Sequence, residues 1–514
     1  MIEKMKKVNL KIWAGVFLLL FTVASCSDFL DINENPNQAT TADLSLVLPQ
    51  AIVATASRAS AYNNYGAHFG GYMANAGGFS GFGTLLTYNL QPADYDGLWS
   101  TSFSGPLADL NYVIGKSEGI EEYVLYNAAA KIMMVVNYQM LVDAFGDIPY
   151  SEALNPGNTT PKYDDAATIY TSLVATLNAA IAQIDANPFA PALTAASDPL
   201  FGGNMANWKK YANTLKLRML IRSNGNLSSL AGVEFLTDDA IVNPGYELNR
   251  PNPDWASWGR TVAGALSNSS RIPTTYAFAF YNGAKLLDAG RGETIFVNYP
   301  STPTNQLGNE VGNPPIVSGQ VTWASNQAGL TGTGVLKGPA MGRPLMLLAE
   351  AKFLLAEAQL KGGIAGDYTA TFYEGITASF RYLYKTESGS LLAGANLTNL
   401  VDAYKTANDD KYLVEIEAAT TDAQRLEAII TQKYIAVNMI NSDEGWNEYR
   451  RTGYPVTVTG GAPSFDIASN KSIISARPDK LPTRVMYPSS EQQLNKPNYR
   501  NVDYTSERIF WDPN

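Results

Sequence analysis

The richest cluster of reactive side chains lies in Asn441-Ser442-Asp443-Glu444-Gly445-Trp446-Asn447-Glu448-Tyr449-Arg450-Arg451. Glu448 and Arg451 stand three apart, and Trp446 and Arg450 four apart. On a helix each couple shares a face and can form an ion pair or a cation–π contact. Such carboxylates serve either acid catalysis or a structural ion-pair network; no second catalytic partner is identifiable beside them, and the structural reading is the expectation. Glu350 and Glu357, seven apart on an otherwise apolar helix, predict two acids on one face, paired to basic residues at its edge. The sequence holds one histidine, His68, and one cysteine, Cys26. Ser-His-Asp, Cys-His and imidazole or thiolate metal chemistry therefore have almost no material to work with, and no cofactor or metal is expected. His68 stands among aromatics and reads as packing or a ligand contact. A glycosidase carboxylate pair stays open, because acids are plentiful.

The elements that would position these groups begin with an address. Lys4, Lys6, Lys7 and Lys11 precede an apolar run from Ile12 to Val23, and Ala24-Ser25 stand before Cys26. The run is short for a bilayer span of ~20 residues, and a small-small-Cys end is the form of a bacterial lipoprotein cleavage site. Residues 1–25 are thus expected to be a signal peptide, with Cys26 carrying the lipid and residues 26–41 forming an acidic tether. Asp31, Asn33 and Asn35 have the alternate spacing of a calcium loop, but Pro36 and Ala42 stand where its glycine and glutamate belong, so that signal fails. The net charge of −10 includes a net +3 from Glu3 and the four lysines, leaving −13 for the remainder. Nucleic acid is a poor partner for such a surface.

Beyond residue 41 one globular domain, 42–514, is expected. Residues 44–60 read as helical, and the pattern stops before the glycine- and aromatic-rich stretch from Tyr65 to Gly83. Helices dominate from about Leu107 to 224. Leu125, Ala129, Ile132, Val136 and Met140 form one stripe, and Ile169, Leu173, Leu177, Ala180 and Ile184 another. A third helix is expected from Pro344 to the Gly362-Gly363 stop, and a fourth carries Leu426, Ile430, Tyr434 and Val437. The pairs 120–145/164–186 and 345–361/368–385 suggest degenerate tetratricopeptide-like units. Residues 225–340 read as a loop-rich, ligand-facing insertion with short strands such as Thr294 to Asn298, and 452–514 as irregular.

Gln432-Lys433-Tyr434, followed by Glu444 to Pro455, resembles the signature of SusD/RagB outer-membrane lipoproteins, in particular their SusD-like branch. Asp143 to Tyr150, Trp208 to Arg222, Pro344-Leu345-Met346 through Glu357-Ala358, and Arg484 to Pro488 with Glu491 and Asn495 are similar to family segments in family order. So is Asp28-Phe29-Leu30-Asp31. The resemblance implies a mainly α-helical, SusD-like fold with four tetratricopeptide-like helix pairs, anchored at the outer face of the outer membrane. It also implies association with a SusC-type TonB-dependent transporter, for which the lipoprotein is a lid that captures nutrient, usually an oligosaccharide.

The family's ligand residues lie outside these motifs, so the site is sought physically. Sugar rings offer apolar faces and many hydroxyls, which suit aromatic platforms flanked by amides and arginine. Asn252 to Arg260 supplies Trp255, Trp258 and Arg260; Trp323 with Asn326, and Tyr72, Phe79 and Phe82, are expected to complete the platform. The opposing reading makes these aromatics buried loop anchors; for Trp99 and Trp446 it is preferred. A non-enzymatic glycan-binding lipoprotein is the reading adopted. The same scaffold capturing peptides or another nutrient, a surface glycoside hydrolase, and a lid whose barrel does the recognising are the alternatives.

Overall fold

A computed structural model describes residues 42–77, 84–307, 323, 329–458, 460–467 and 481–514. The expected signal peptide 1–25, Cys26 and the tether 26–41 lie outside these described residues. The first helix, Leu44–Phe69 (α1), runs nine residues past the expected stop. Glycine at position 66 makes this possible: a Cβ there would lie 2.0 Å from the Asp443 backbone nitrogen, so α1 passes Ser442–Thr452 at backbone contact. That close approach outweighs the ~1 kcal/mol by which glycine disfavours a helix.

Two helix pairs follow the predicted stripes. Ala108–Ser117 (α2) leads into Val124–Phe145 (α3), which packs against Ala166–Ala186 (α4). Asp165 caps α4 by accepting from Thr168 N. Gln183 near the end of α4 donates to Val124 O at the start of α3, and Tyr170 at the other end reaches Asp143, so the pair is antiparallel. Met205–Arg222 (α5) carries the chain onward. The second pair is Leu348–Leu360 (α7) with Tyr368–Tyr384 (α8), the latter capped by Asp367; Gly375 lets the Phe353 ring lie against the α8 backbone. Asp422–Ala436 (α9) starts with a Thr421/Gln424 capping box, and Ser442–Thr452 (α10) stops at Gly453 with φ +76°. Leu44–Asn514 is one compact unit.

Two local expectations fail. Pro344 does not open a helix. Arg343–Met346 (β6) is a strand paired antiparallel with Ala240–Val242 (β4), and α7 starts at Leu348, because the backbone before it is engaged in that ladder. Thr294 and Ile295 end the helix Ala289–Ile295 and are not strand; Asp288 caps that helix by accepting from Arg291 N. Two further antiparallel pairs are Ile148–Pro149 (β2) with Tyr163–Asp164 (β3), and Met73–Asn75 (β1) with Arg271–Pro273 (β5).

Five helices meet in a buried network of charges. Arg218 of α5 pairs with Glu350 of α7 at 3.2 Å and Glu444 of α10 at 3.4 Å. Arg222 bridges Asp143 of α3 and Glu444. Lys433 of α9 lies 2.9 Å from Glu448 and 3.6 Å from Glu350. Arg451 holds both oxygens of Glu357 at 2.7 Å and donates from Nε to Glu448 at 2.8 Å. The expected Glu448–Arg451 pair and the Arg450–Trp446 contact, 3.5 Å to the ring centroid, are both present. Glu350 and Glu357 find their cations on other helices, α5, α9 and α10, as well as on Lys361.

Burial alone would push the Glu444 carboxyl up; Arg218, Arg222 and Lys433 reverse this and hold it at about 2, below its ordinary 4.5. A depressed folded value means stability that is complete above 4.5 and is lost as pH falls toward about 2. Glu444→Gln is therefore expected to cost about 3–5 kcal/mol at pH 7, because two buried guanidiniums each lose one of their carboxylate partners and Lys433 loses one too. The deficit relative to wild type should shrink as pH drops below 4.5. Urea unfolding at a series of pH values measures both; a deficit constant with pH would contradict the assignment.

Candidate functional site

The candidate corner is built on the C-terminal half of α1. Asn252 caps the short helix Pro253–Trp258 (α6), accepting from Asp254 N at 2.8 Å and Trp255 N at 3.2 Å, while its amide donates to Met341 O at 3.1 Å. The next residue but one ties α6 to α1: Asp254 accepts from Ser60 and from Asn63, and pairs with Arg343 Nε at 2.9 Å. Strand β5 is tied further along the same helix, where Arg271 Nε donates to His68 Nε2 at 3.2 Å. Residues 60–63 and 68 are five to eight apart, so the two anchor points are separated by about 8–12 Å along α1.

Burial, with the Arg271 charge beside it, lowers His68 to about 4. The ring is therefore neutral at physiological pH, with Nδ1 donating to Asn64 O at 2.8 Å and Nε2 accepting. Asp254 is wholly engaged, so neither group is free to move a proton.

After α6 the chain forms a small exposed hairpin. Ser267 N donates to Gly259 O at 3.0 Å and Thr261 N to Ala265 O at 2.8 Å. Gly259 is required there, since a Cβ would lie 2.5 Å from the Trp255 ring. Trp255 is consequently laid over the hairpin backbone and remains partly exposed. Arg260 is exposed; its guanidinium donates to Gly264 O at 2.9 Å. Across β1/β5, Asn75 is opposite Arg271, Ala76 N donates to Ser270 O, and the Arg271 guanidinium donates to Ser270 Oγ at 2.9 Å. The sequence reading did not name Ser270 or Arg271. Only the pairing of two strands nearly two hundred residues apart brings them here.

The other proposed platform residues have different places. Trp258 is buried and meets Trp323, also buried, edge-on at 6.2 Å, so these indoles are core and not platform. Trp258, the last residue of α6, is packed into the core, whereas Trp255, one turn earlier, stays half-buried. Tyr72 is buried as well, stacked on Tyr434 at 4.2 Å and donating to its carbonyl. Tyr276 and Tyr281, in the segment expected to face ligand, are core too, whereas Trp99 and Trp446 are buried as expected. Phe79, Phe82 and Asn326 lie outside the described residues. Of the predicted set, Trp255 and Arg260 keep an accessible surface, on adjoining turns. A partly exposed indole can stack on a sugar face, and an exposed guanidinium five residues on can bond hydroxyls. Among the described residues no group of three or more His, Cys, Asp or Glu side chains could hold a metal ion.

The family model SusD-like_2, described as starch-binding and associating with the outer membrane, matches residues 36–488. No curated protein matches the chain in sequence. Among solved structures, a SusD homolog from Bacteroides uniformis is 22% identical with a TM-score of 0.69, covering 91% of this chain and 100% of that one. A chitin-binding SusD homolog from Flavobacterium johnsoniae is 21% identical with a TM-score of 0.69, covering 91% and 99%. A SusD/RagB protein from Bacteroides thetaiotaomicron is 20% identical with a TM-score of 0.67, covering 92% and 99%. These likenesses establish the fold, including its tetratricopeptide-like helix pairs.

The division between core and surface positions is measurable. Trp258→Ala and Trp323→Ala should each destabilise the protein by about 3–5 kcal/mol, the cost of emptying an aromatic core position. Arg260→Ala should leave the unfolding midpoint within about 0.5 kcal/mol of wild type. Denaturant melts of the three variants decide it, and equal midpoints for all three would contradict the placement.

Proposed function

The chain belongs to the SusD-like family, starch-binding and associating with the outer membrane, and from that premise we propose that it captures oligosaccharides at the cell surface as a lid delivering them to a SusC-type TonB-dependent transporter. The match over residues 36–488 carries the reading. The small-small-Cys sequence before Cys26 supplies the anchor: several acyl chains on one cysteine give stable membrane attachment. The remainder's net charge of −13, after the +3 segment is removed, is consistent with a tethered protein that does not lie on anionic lipid.

Trp255 and Arg260 supply the accessible chemistry. Stacking on an indole removes the apolar face of a sugar from water, and guanidinium and hydroxyl donors fix its orientation. The buried acids that could have suggested hydrolysis are occupied. Glu444, Glu448, Glu350 and Glu357 each face cations from other helices, and Asp254 is bound by Ser60, Asn63 and Arg343. That occupancy supports binding without turnover.

Titration calorimetry of residues 27–514 against a panel of plant, host and microbial oligosaccharides, with peptides alongside, tests this. Heat from one glycan class is expected, and Trp255→Ala and Arg260→Ala should each weaken it at least tenfold, about 1.4 kcal/mol. Reducing ends should not accumulate on long incubation. Heat from peptides alone, or sugar binding indifferent to both substitutions, would contradict the assignment.

A further inference from the structure

A polar cavity lies at the far end of the first helix pair, where α2 gives way to α3 and α4 ends. It has a volume of about 280 Å³ and is lined by Glu118, Glu121, Asn127, Lys131, Gln183 and Asn187 among others. Part of this lining is fixed. Asn127 donates to Ser117 Oγ at 2.9 Å, and Gln183 donates to Val124 O at 2.8 Å and Asn127 Oδ1 at 3.2 Å. The rest is unspent. Lys131 Nζ donates once, to Gln183 Oε1 at 3.2 Å, leaving two ammonium protons. Asn187 uses its amide nitrogen on Gln183 O, leaving Oδ1, and Glu121 is exposed with an unengaged carboxylate.

Two residues beyond Asn187 stands Phe189, 98% exposed. Its display is enforced: Ala190 N closes a turn onto Asn187 O at 3.2 Å, and Pro188 locks the backbone at the turn's corner. A ring held in water by a rigid turn loses little freedom when something stacks on it. The cavity supplies hydrogen-bonding groups of both kinds, and the turn that begins at its lining residue Asn187 carries an exposed aromatic ring two residues on.

We infer that this cavity with Phe189 is a second saccharide-binding site, taking one sugar ring whose hydroxyls bond Lys131, Asn187 and Glu121 while its apolar face rests on Phe189. It shares no element with the Trp255 corner, rests on the reading of the chain as a saccharide binder, and fills independently of that corner.

Chitohexaose and maltohexaose, titrated by calorimetry into residues 27–514, are the probes. One of them is expected to bind with two equivalents per chain, falling to one in Phe189→Ala, with the unfolding midpoint unchanged because the ring is exposed. Glu121→Gln should weaken the same class at least threefold. Sites that survive Trp255→Ala but vanish in Phe189→Ala would support this site even if the Trp255 assignment fell. A single equivalent insensitive to Phe189→Ala, or no heat from either sugar, would overturn it.

Discussion

Charges taken out of water must find partners, and that requirement governs this molecule. Arg218, Arg222 and Lys433 are buried, as are Asp143, Glu350, Glu357, Glu444 and Glu448, and the half-buried Arg451 turns its side chain inward to them. An unpaired member would cost several kcal/mol. Their owners are spread over α3, α5, α7, α9 and α10, so none of these helices can shift by a turn without stranding a charge. Apolar packing would tolerate many arrangements of similar helices; a network with directional bonds tolerates few. Trp511 adds an indole N–H to Asp143 at 3.0 Å, and Arg450 donates to Asp143 O at 2.7 Å, closing the network from the side.

The candidate ligand corner inherits its position from that network. Glu444 and Glu448 fix α10, and the start of α10 is locked to α1 through the Gly66 crossing and through Asn63, whose oxygen accepts from Ser442 N at 2.8 Å. Asn63 also donates to Met439 O at 3.1 Å and reaches Asp254. One amide therefore joins the charged centre to the helix that carries Trp255. His68, two residues past Gly66, holds β5 in the same way. The corner is irregular in backbone, yet Asp254 and Arg271 attach it to the regular α1 and β6.

Helix periodicity made the two main pairs readable, because Leu125 to Met140 and Ile169 to Ile184 present apolar residues at one helical spacing whatever surrounds them. The ion pair at Glu448–Arg451 was readable for the same reason, being local. What could not be read was non-local. Pro344 has the chemistry of a helix start, and only pairing with Ala240–Val242 makes it strand. Gly66 looked like a stop because its close neighbour, Asp443, is far along the chain. Tryptophans raised the sharpest ambiguity: Trp255 and Trp258 share one short helix, and their sequence context does not say which side meets Trp323. Phe189 offered no periodic signal at all, since its significance lies in exposure beside a cavity.

The distances along the chain between charge partners bear on how the molecule comes into being. Arg222 waits for Glu444, 222 residues later, and Asp143 for Trp511, 368 residues later. Contacts of such separation carry a large loop-closure penalty before they return anything, which slows folding. A nascent chain that has reached α5 holds Asp143, Arg218 and Arg222 without Glu350, Glu444 or Glu448 to receive them. Arg222 can already pair with Asp143, but Arg218 stays hydrated without Glu350 and Glu444, so the charged centre closes only once the second half is present.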